Sequence, residues 1–294
     1  MMTMKKKFTT NLQINTNIQI NWKMLKIVKC KLSVAPKKSL GQNFLVNRGV
    51  LDKIVAAAEI QKDDIILEVG PGTGNLTEKL ASVAKKVIAV EKDRRLIGQL
   101  KIKFEKNGNI EIIEKDILKF NPEQYSLKNG GYKIVANIPY YITSHFLKTV
   151  FTKWLQPKLI VLMIQKEVAQ RIMAKPPDMN LLALSVQFFA NPQIISSVSR
   201  GSFQPMPKVD SAIIKLTPKN NNRLLTIDNG HFFKVIRAGF SEKRKQLLNN
   251  LAKNFDTTKE KIKNIFSSAG IKEKARAENL SLQEWEKLAE LLTN

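Results

Sequence analysis

Between residues 48 and 217, short apolar runs alternate with stretches of helical spacing, and this alternation restricts the fold more than any other feature of the chain. Ile65-Ile66-Leu67-Glu68-Val69, Lys86 to Glu91, Ile110 to Ile113 and Lys133 to Ala136 read as buried strands. Leu159 to Ile164 and Ser211 to Leu216 continue the series. Between them, Leu76–Ala84 and Arg94–Glu105 carry the helical period. The pattern predicts an α/β fold, a mostly parallel, doubly wound sheet with helices on both faces. Asn220-Asn221-Asn222, just after Pro218, reads as a linker. From 228 to 294 the pattern is helical throughout, with Leu247, Leu248 and Leu251 on one face and Trp285, Leu288, Leu291 and Leu292 on another. The expected organisation is a basic arm over 1–35, an α/β domain over 36–218 and a smaller all-helical domain over 219–294.

Open α/β sheets bind ligands at the carboxyl ends of their strands, so the residues there are the candidates for a site. The stretch from Glu68 to Thr77 follows a strand and opens a helix, with glycines at 70, 72 and 74. Glycines at alternate positions let the backbone turn tightly and approach a ligand closely. The spacing is G-x-G-x-G and not the G-x-G-x-x-G of dinucleotide sites. Pro71 also removes an N–H donor, so the turn suits close packing on a nucleoside better than cradling a pyrophosphate. Glu91 ends the second strand, 21 residues after Gly70, where a carboxylate can accept from the hydroxyls of a ribose. Asp116 follows the third strand and could accept from an adenine amino group. Either acid alone reads equally well as a helix cap or a solvated loop residue. Three features at three successive strand ends converge on one crevice.

The fourth strand ends in Asn137-Ile138-Pro139-Tyr140. An exocyclic amine of adenine is a poor nucleophile because its lone pair is delocalised into the ring. The Asn137 side-chain carbonyl and the Ile138 backbone carbonyl could each accept one amine hydrogen, drawing the nitrogen toward a tetrahedral shape with its lone pair aimed at a sulfonium methyl. Pro139 stiffens the turn. Tyr140 offers a face for the base to stack on, worth roughly 1–3 kcal/mol. Phe203, in the Pro205- and Pro207-braced loop before the last strand, could close on the other face of the base or, equally, anchor the loop in the core. A cytosine C5 methyltransferase would need a cysteine nucleophile here, and the single cysteine, Cys30, sits in the basic arm. His145 has no carboxylate nearby in sequence and reads as structural or RNA-facing.

The net charge of +24 implies a polyanionic partner, nucleic acid ahead of a membrane surface. Residues 1–40 carry nine lysines and no acid, whereas 41–143 carry 16 basic and 13 acidic residues. The excess therefore sits outside the segment assigned to the cofactor. No apolar run approaches the roughly 18–20 residues that span a bilayer. One cysteine and two distant histidines make a metal site unexpected. The arm lacks the apolar core of a secretory signal and the arginines of a transit peptide; it reads as a mobile arm, or in part as a start placed ahead of Met24.

Together these residues resemble the ribosomal small-subunit RNA adenine N6,N6-dimethyltransferase family, from about Pro36 to Leu292. Leu40-Gly41-Gln42-Asn43-Phe44-Leu45 is similar to the family's first motif, and the resemblance implies cofactor contacts from Asn43 and Leu45. It places Gly70, Glu91, Asp116 and Asn137 at S-adenosyl-L-methionine contacts and Ile138 and Tyr140 in the base clamp, to which the reading of the residues adds Gly72 for the cofactor and Pro139 and Phe203 for the base. Gln165 to Arg171 and Phe203 to Ser211 match two further family segments. Phe240 to Leu247 resembles the family's basic helix, which implies RNA contacts from Lys243, Arg244 and Lys245. The resemblance also implies two methylations on each of two adjacent adenosines near the 3′ end of small-subunit rRNA, within an assembling subunit. A cytoplasmic monomer is expected. The alternatives are a large-subunit rRNA adenine methyltransferase of the macrolide-resistance type, or a non-enzymatic nucleic-acid-binding factor on the same fold.

Overall fold

The structure, a computed structural model, describes residues 34–37, 40–219, 228–242 and 244–292. The basic arm up to residue 33, the Asn220-Asn221-Asn222 linker and Lys243 lie outside the described residues.

In chain order, β1 (Phe44–Leu45) leads into α1 (Arg48–Ala57), which starts where the Asn47 side chain accepts from the Val50 amide. The apolar runs then become β2 (Ile65–Val69), β3 (Lys86–Glu91), β4 (Ile110–Glu114), β5 (Tyr132–Asn137) and β6 (Leu159–Gln165). Between these strands run α2 (Asn75–Ala81), α3 (Arg94–Lys103) and α4 (Thr143–Lys153). After β6 come α5 (Lys166–Ile172), α6 (Leu181–Gln187), β7 (Ala190–Val198), β8 (Phe203–Gln204) and β9 (Ser211–Pro218). The main sheet has seven strands in the order β4-β3-β2-β5-β6-β9-β7. β4 through β6 run parallel, and β9 lies antiparallel between β6 and β7. The mostly parallel α/β sheet expected from the alternation is therefore present.

Both faces of this sheet are covered, which is why its strands read as continuous apolar runs. Successive residues alternate between faces: Leu67, Ile88 and Ile134 join one core, and Ile66, Val87 and Val135 the other. β7 was not apparent in the sequence. Its exposure alternates with period two, it contains Pro192, and it bulges between Ile194 and Ser196. As the outermost strand it tolerates a proline that an inner strand would not.

The C-terminal helices are α7 (Asn229–Gly239), α8 (Leu247–Asn254), α9 (Lys259–Ala269) and α10 (Leu282–Leu291). Trp285, Phe232 and Phe266 fill their core, which also takes in Ala183 and Leu184 of α6 and the adjoining Phe188 and Phe189. The described residues from Pro36 onward form one compact unit. One expectation is corrected here. The 240–247 stretch is not a basic helix but the connection between α7 and α8, with Leu247 opening α8. Gly239 ends α7 without a side chain, and a β-carbon there would meet the Trp285 ring at 2.3 Å. The buried Asn250 amide then donates to the carbonyls of Gly239 (2.7 Å) and Glu242 (3.1 Å), satisfying acceptors that a continuing helix would have used. Among the described residues no helix is long and apolar enough to cross a membrane.

Candidate active site

The strand order reverses direction between β2 and β5, and a crevice opens outside the carboxyl ends of strands at such a switch point. One cavity occupies it and, its open mouth included, encloses about 1120 Å³. Asn43, Leu45, Gly70, Gly72, Glu91, Asp116, Asn137, Ile138, Pro139 and Tyr140 all line it. Phe203 does not. Its ring is 4 % exposed and belongs to the core beneath β1 and α1, because β8 pairs antiparallel with β1 and puts Phe203 opposite Leu45. Of the two roles weighed for Phe203, this packing is that of the loop anchor. Arg244 and Lys245 are exposed and do not line the cavity.

The glycine turn is shaped by close approach. Gly72 has φ +59°, and a β-carbon there would lie 2.9 Å from the Phe44 ring; at Gly74, with φ +77°, it would lie 2.7 Å from Phe104. Only glycine fits the conformation and the space. Gly72 in turn donates its amide to Glu91 Oε2 (3.3 Å), while Oε1 accepts the amides of Lys92 and Asp93 (both 2.9 Å). Burial pushes the Glu91 pKa up, and these three amides oppose the shift. A carboxylate has about four lone-pair sites, so one remains on Oε2 for a hydroxyl in the cavity. Asp116 accepts from Lys92 Nζ (2.8 Å) and caps the short 3₁₀ turn at Ile117–Lys119 through the Leu118 amide. Burial alone would raise its pKa, but the Lys92 hydrogen bond, that amide and the nearby cations win and lower it.

The segment 40–45 forms the remaining wall, and its fastening was not legible in the sequence. Gln42 Nε2 donates to Asp93 Oδ2 (2.8 Å), and Asn75 Nδ2 to the Leu45 carbonyl (3.1 Å). Asn137 Nδ2 donates to the Asn43 carbonyl (3.2 Å), so Oδ1 is the end of that amide left to accept. Arg95 holds the Asp93 carboxyl down to about 2; burial works against it and Gln42 assists. The Tyr140 hydroxyl and Ser211 Oγ share a hydrogen bond (2.7 Å), and burial raises the Tyr140 pKa, so the phenol stays neutral.

A further acid sits against the cavity wall. Glu68 is 1 % exposed, and burial pushes its pKa up to about 8. The Thr77 hydroxyl opposes the rise without completing a hydrogen bond to Oε2, while the Glu91 charge adds to it. The sequence signal was an acid inside an apolar strand. Because the folded state holds a proton that the unfolded chain releases near 4.5, the contribution of Glu68 to stability is full below about 4.5 and is lost as the pH rises to about 8. Glu68→Gln should flatten that fall, which amounts to a few kcal/mol, on the order of 1.4 kcal/mol per pKa unit. Urea unfolding at pH 5, 7 and 8.5 checks it; an unchanged pH slope would show that Glu68 ionises normally.

Dehydrogenases use the same strand ends, but their turn must offer amides to a pyrophosphate, and Pro71 removes one. A sulfonium nucleoside instead needs close packing and acceptors for its ribose and adenine, which the glycine turn, Glu91, Asp116 and the apolar wall of Val90, Leu96 and Ile117 provide. The fold and the cavity thus define a class I methyltransferase that uses S-adenosylmethionine. The chain matches the ribosomal RNA adenine dimethylase family over residues 34–294, and it belongs to that family. It is 47% identical over 252 residues to a ribosomal RNA small subunit methyltransferase A of Dehalococcoides mccartyi, covering 86% of this chain and 87% of that one. Among solved structures it is similar to a dimethyladenosine transferase from Plasmodium falciparum (34% identity, TM-score 0.72, 83% of this chain and 95% of that one). A 23S rRNA methyltransferase follows at 26% identity and TM-score 0.69, with 85% and 99% covered.

Proposed function

We infer that this protein transfers methyl groups from S-adenosylmethionine to the N6 amine of adenine in small-subunit rRNA, giving N6,N6-dimethyladenosine. The observation that carries the reading is the pinned Asn137 amide, whose free Oδ1 lies in the same cavity as Ile138, Tyr140 and the two carboxylates. When bound, the cofactor supplies an activated methyl on a sulfonium. Asn43, Leu45, Gly70, Gly72, Glu91 and Asp116 hold it. Asn137 Oδ1 and the Ile138 carbonyl accept the two amine hydrogens of the substrate and aim the nitrogen lone pair, and the Tyr140 ring stacks on the base. Pro139 keeps the turn rigid. Most of the acceleration comes from holding the two reactants in line. The methylated amine is acidic while cationic and releases its proton to water, so no strong base is required.

The substrate is read more finely as two adjacent adenosines near the 3′ end, presented by a partly assembled small subunit to a monomeric, cytoplasmic enzyme. In this reading residues 36–218 carry the chemistry and 219–294, with Lys243, Arg244 and Lys245, contact RNA. The names of the relatives favour the small subunit over the large-subunit alternative, and the intact acceptor set argues against a non-enzymatic factor. The test is labelled S-adenosylmethionine with undermethylated small subunits, large subunits and free RNA in parallel. Dimethyladenosine in the small subunit is the expected product; methylation of large-subunit RNA alone would replace this reading with the alternative.

A further inference from the structure

We propose that a second pocket, beside the base clamp, holds a backbone phosphate of the RNA strand next to the target adenosine. The proposal rests on the reading of the first cavity as the adenine site. Lys166, Arg200 and Lys208 surround this pocket, with Gln165, Gln170 and Asp210.

Its place in the sheet ties it to the clamp. Ser211, whose Oγ meets the Tyr140 hydroxyl at 2.7 Å, pairs across the sheet with Gln165 and follows Asp210 in the chain. Both neighbours of Ser211 line the second pocket, so the pocket begins about one residue, some 3.8 Å of chain, from the clamp. A strand whose adenine stacks on Tyr140 therefore has this pocket within reach of its adjoining backbone.

The charge of the pocket suits a phosphodiester. Among the described residues, none of the three cationic side chains has an acidic partner. Asp210 is engaged in building the pocket: its Oδ1 accepts the Arg200 amide and its carbonyl accepts the Lys166 amide, both at 3.0 Å. It thereby joins the start of α5, the turn at Arg200–Ser202 and the loop before β9. Glu167 is the one remaining counter-charge and is exposed. Phosphate is an acceptor-only anion, and lysine, arginine and glutamine side chains are its common donors. Met206 and Val209, exposed on the same loop, leave apolar surface for the flanking base.

The test compares two triple variants of the full chain that lose the same charge. Lys166→Gln/Arg200→Gln/Lys208→Gln empties the pocket of cations. Lys62→Gln/Lys85→Gln/Lys106→Gln removes three exposed lysines from just before β2, β3 and β4, at the opposite edge of the sheet. The pocket variant should raise KM for undermethylated small subunits on the order of tenfold, and should flatten the slope of log affinity against log salt by about 0.7 for each phosphate that is no longer neutralised. Binding of S-adenosylhomocysteine should not change, and the edge variant should match wild type. If the pocket triple does not fold, Arg200→Gln alone should still lower the slope. Equal behaviour of the two triples, or of Arg200→Gln and wild type, overturns the phosphate site. Failure of wild type itself to methylate the subunit would instead overturn the reading of the first cavity.

Discussion

Asn137→Ala is expected to lower kcat about 10²- to 10³-fold, the usual cost of deleting one polar group that stabilises developing charge in a water-poor site. As the amine nitrogen takes the methyl, its two hydrogens become strong donors, and an acceptor aimed at them is worth most at that moment. Asn137 meets this need because its other end is fixed: Nδ2 is held by the Asn43 carbonyl, so the amide cannot rotate its oxygen away. KM for RNA should change little, since the interaction strengthens only in the transition state. Asn137→Asp should behave differently. It keeps an acceptor but sets a carboxylate against the Asn43 carbonyl, which should loosen the 40–45 wall and weaken cofactor binding as well. Single-turnover methylation at saturating cofactor separates the two variants. An Asn137→Ala enzyme within a few-fold of wild type would remove Asn137 from the chemistry.

Much of the fold was legible because the inner strands are buried on both faces, so Ile65 to Val69 or Lys133 to Ala136 needed no alternation to be recognised. β7 lacked that signature, being half-solvated and broken by Pro192. The cavity residues were legible for a related reason. Each stands at a strand end, where sequence position alone predicts convergence, and glycines 70, 72 and 74 declare their own backbone demand. Phe203 shows the limit. An aromatic in a proline-braced loop has the same sequence whether it faces a base or a core, and the pairing of β8 with β1 that seats Phe203 in the core has no local signal. The Gln42–Asp93 tie joins residues 51 positions apart, and no local pattern announces such a partner. The basic stretch after Gly239 failed for the converse reason: local helix formers were overridden by Asn250 of α8, whose amide takes the Gly239 and Glu242 carbonyls.

The buried ion pair under the sheet should dominate stability as Asn137 dominates chemistry. Lys133 is 3 % exposed and Asp64 7 %, yet both are ionisable residues at the amino-terminal edge of the sheet, far from any need of catalysis. Lys133 Nζ lies 2.7 Å from Asp64 Oδ2 and also donates to the carbonyls of Ala58 (3.0 Å) and Glu59 (2.6 Å), which end α1. The ammonium thus closes the helix terminus, where the macrodipole favours a cation, and fastens it to β5. Lys133→Ala strands a buried carboxylate and two carbonyls at once, and should cost about 3–5 kcal/mol. Lys158 remains 3.8 Å from Asp64 Oδ1 but is too exposed to replace it. Exchanging both partners, as in Lys133→Met with Asp64→Leu, should recover most of the loss, because two apolar groups carry no desolvation cost. Denaturant midpoints of the two single variants and the double variant decide the matter. Were the double variant as unstable as Lys133→Ala, the closure of α1 rather than the unpaired Asp64 charge would be the source of the stability.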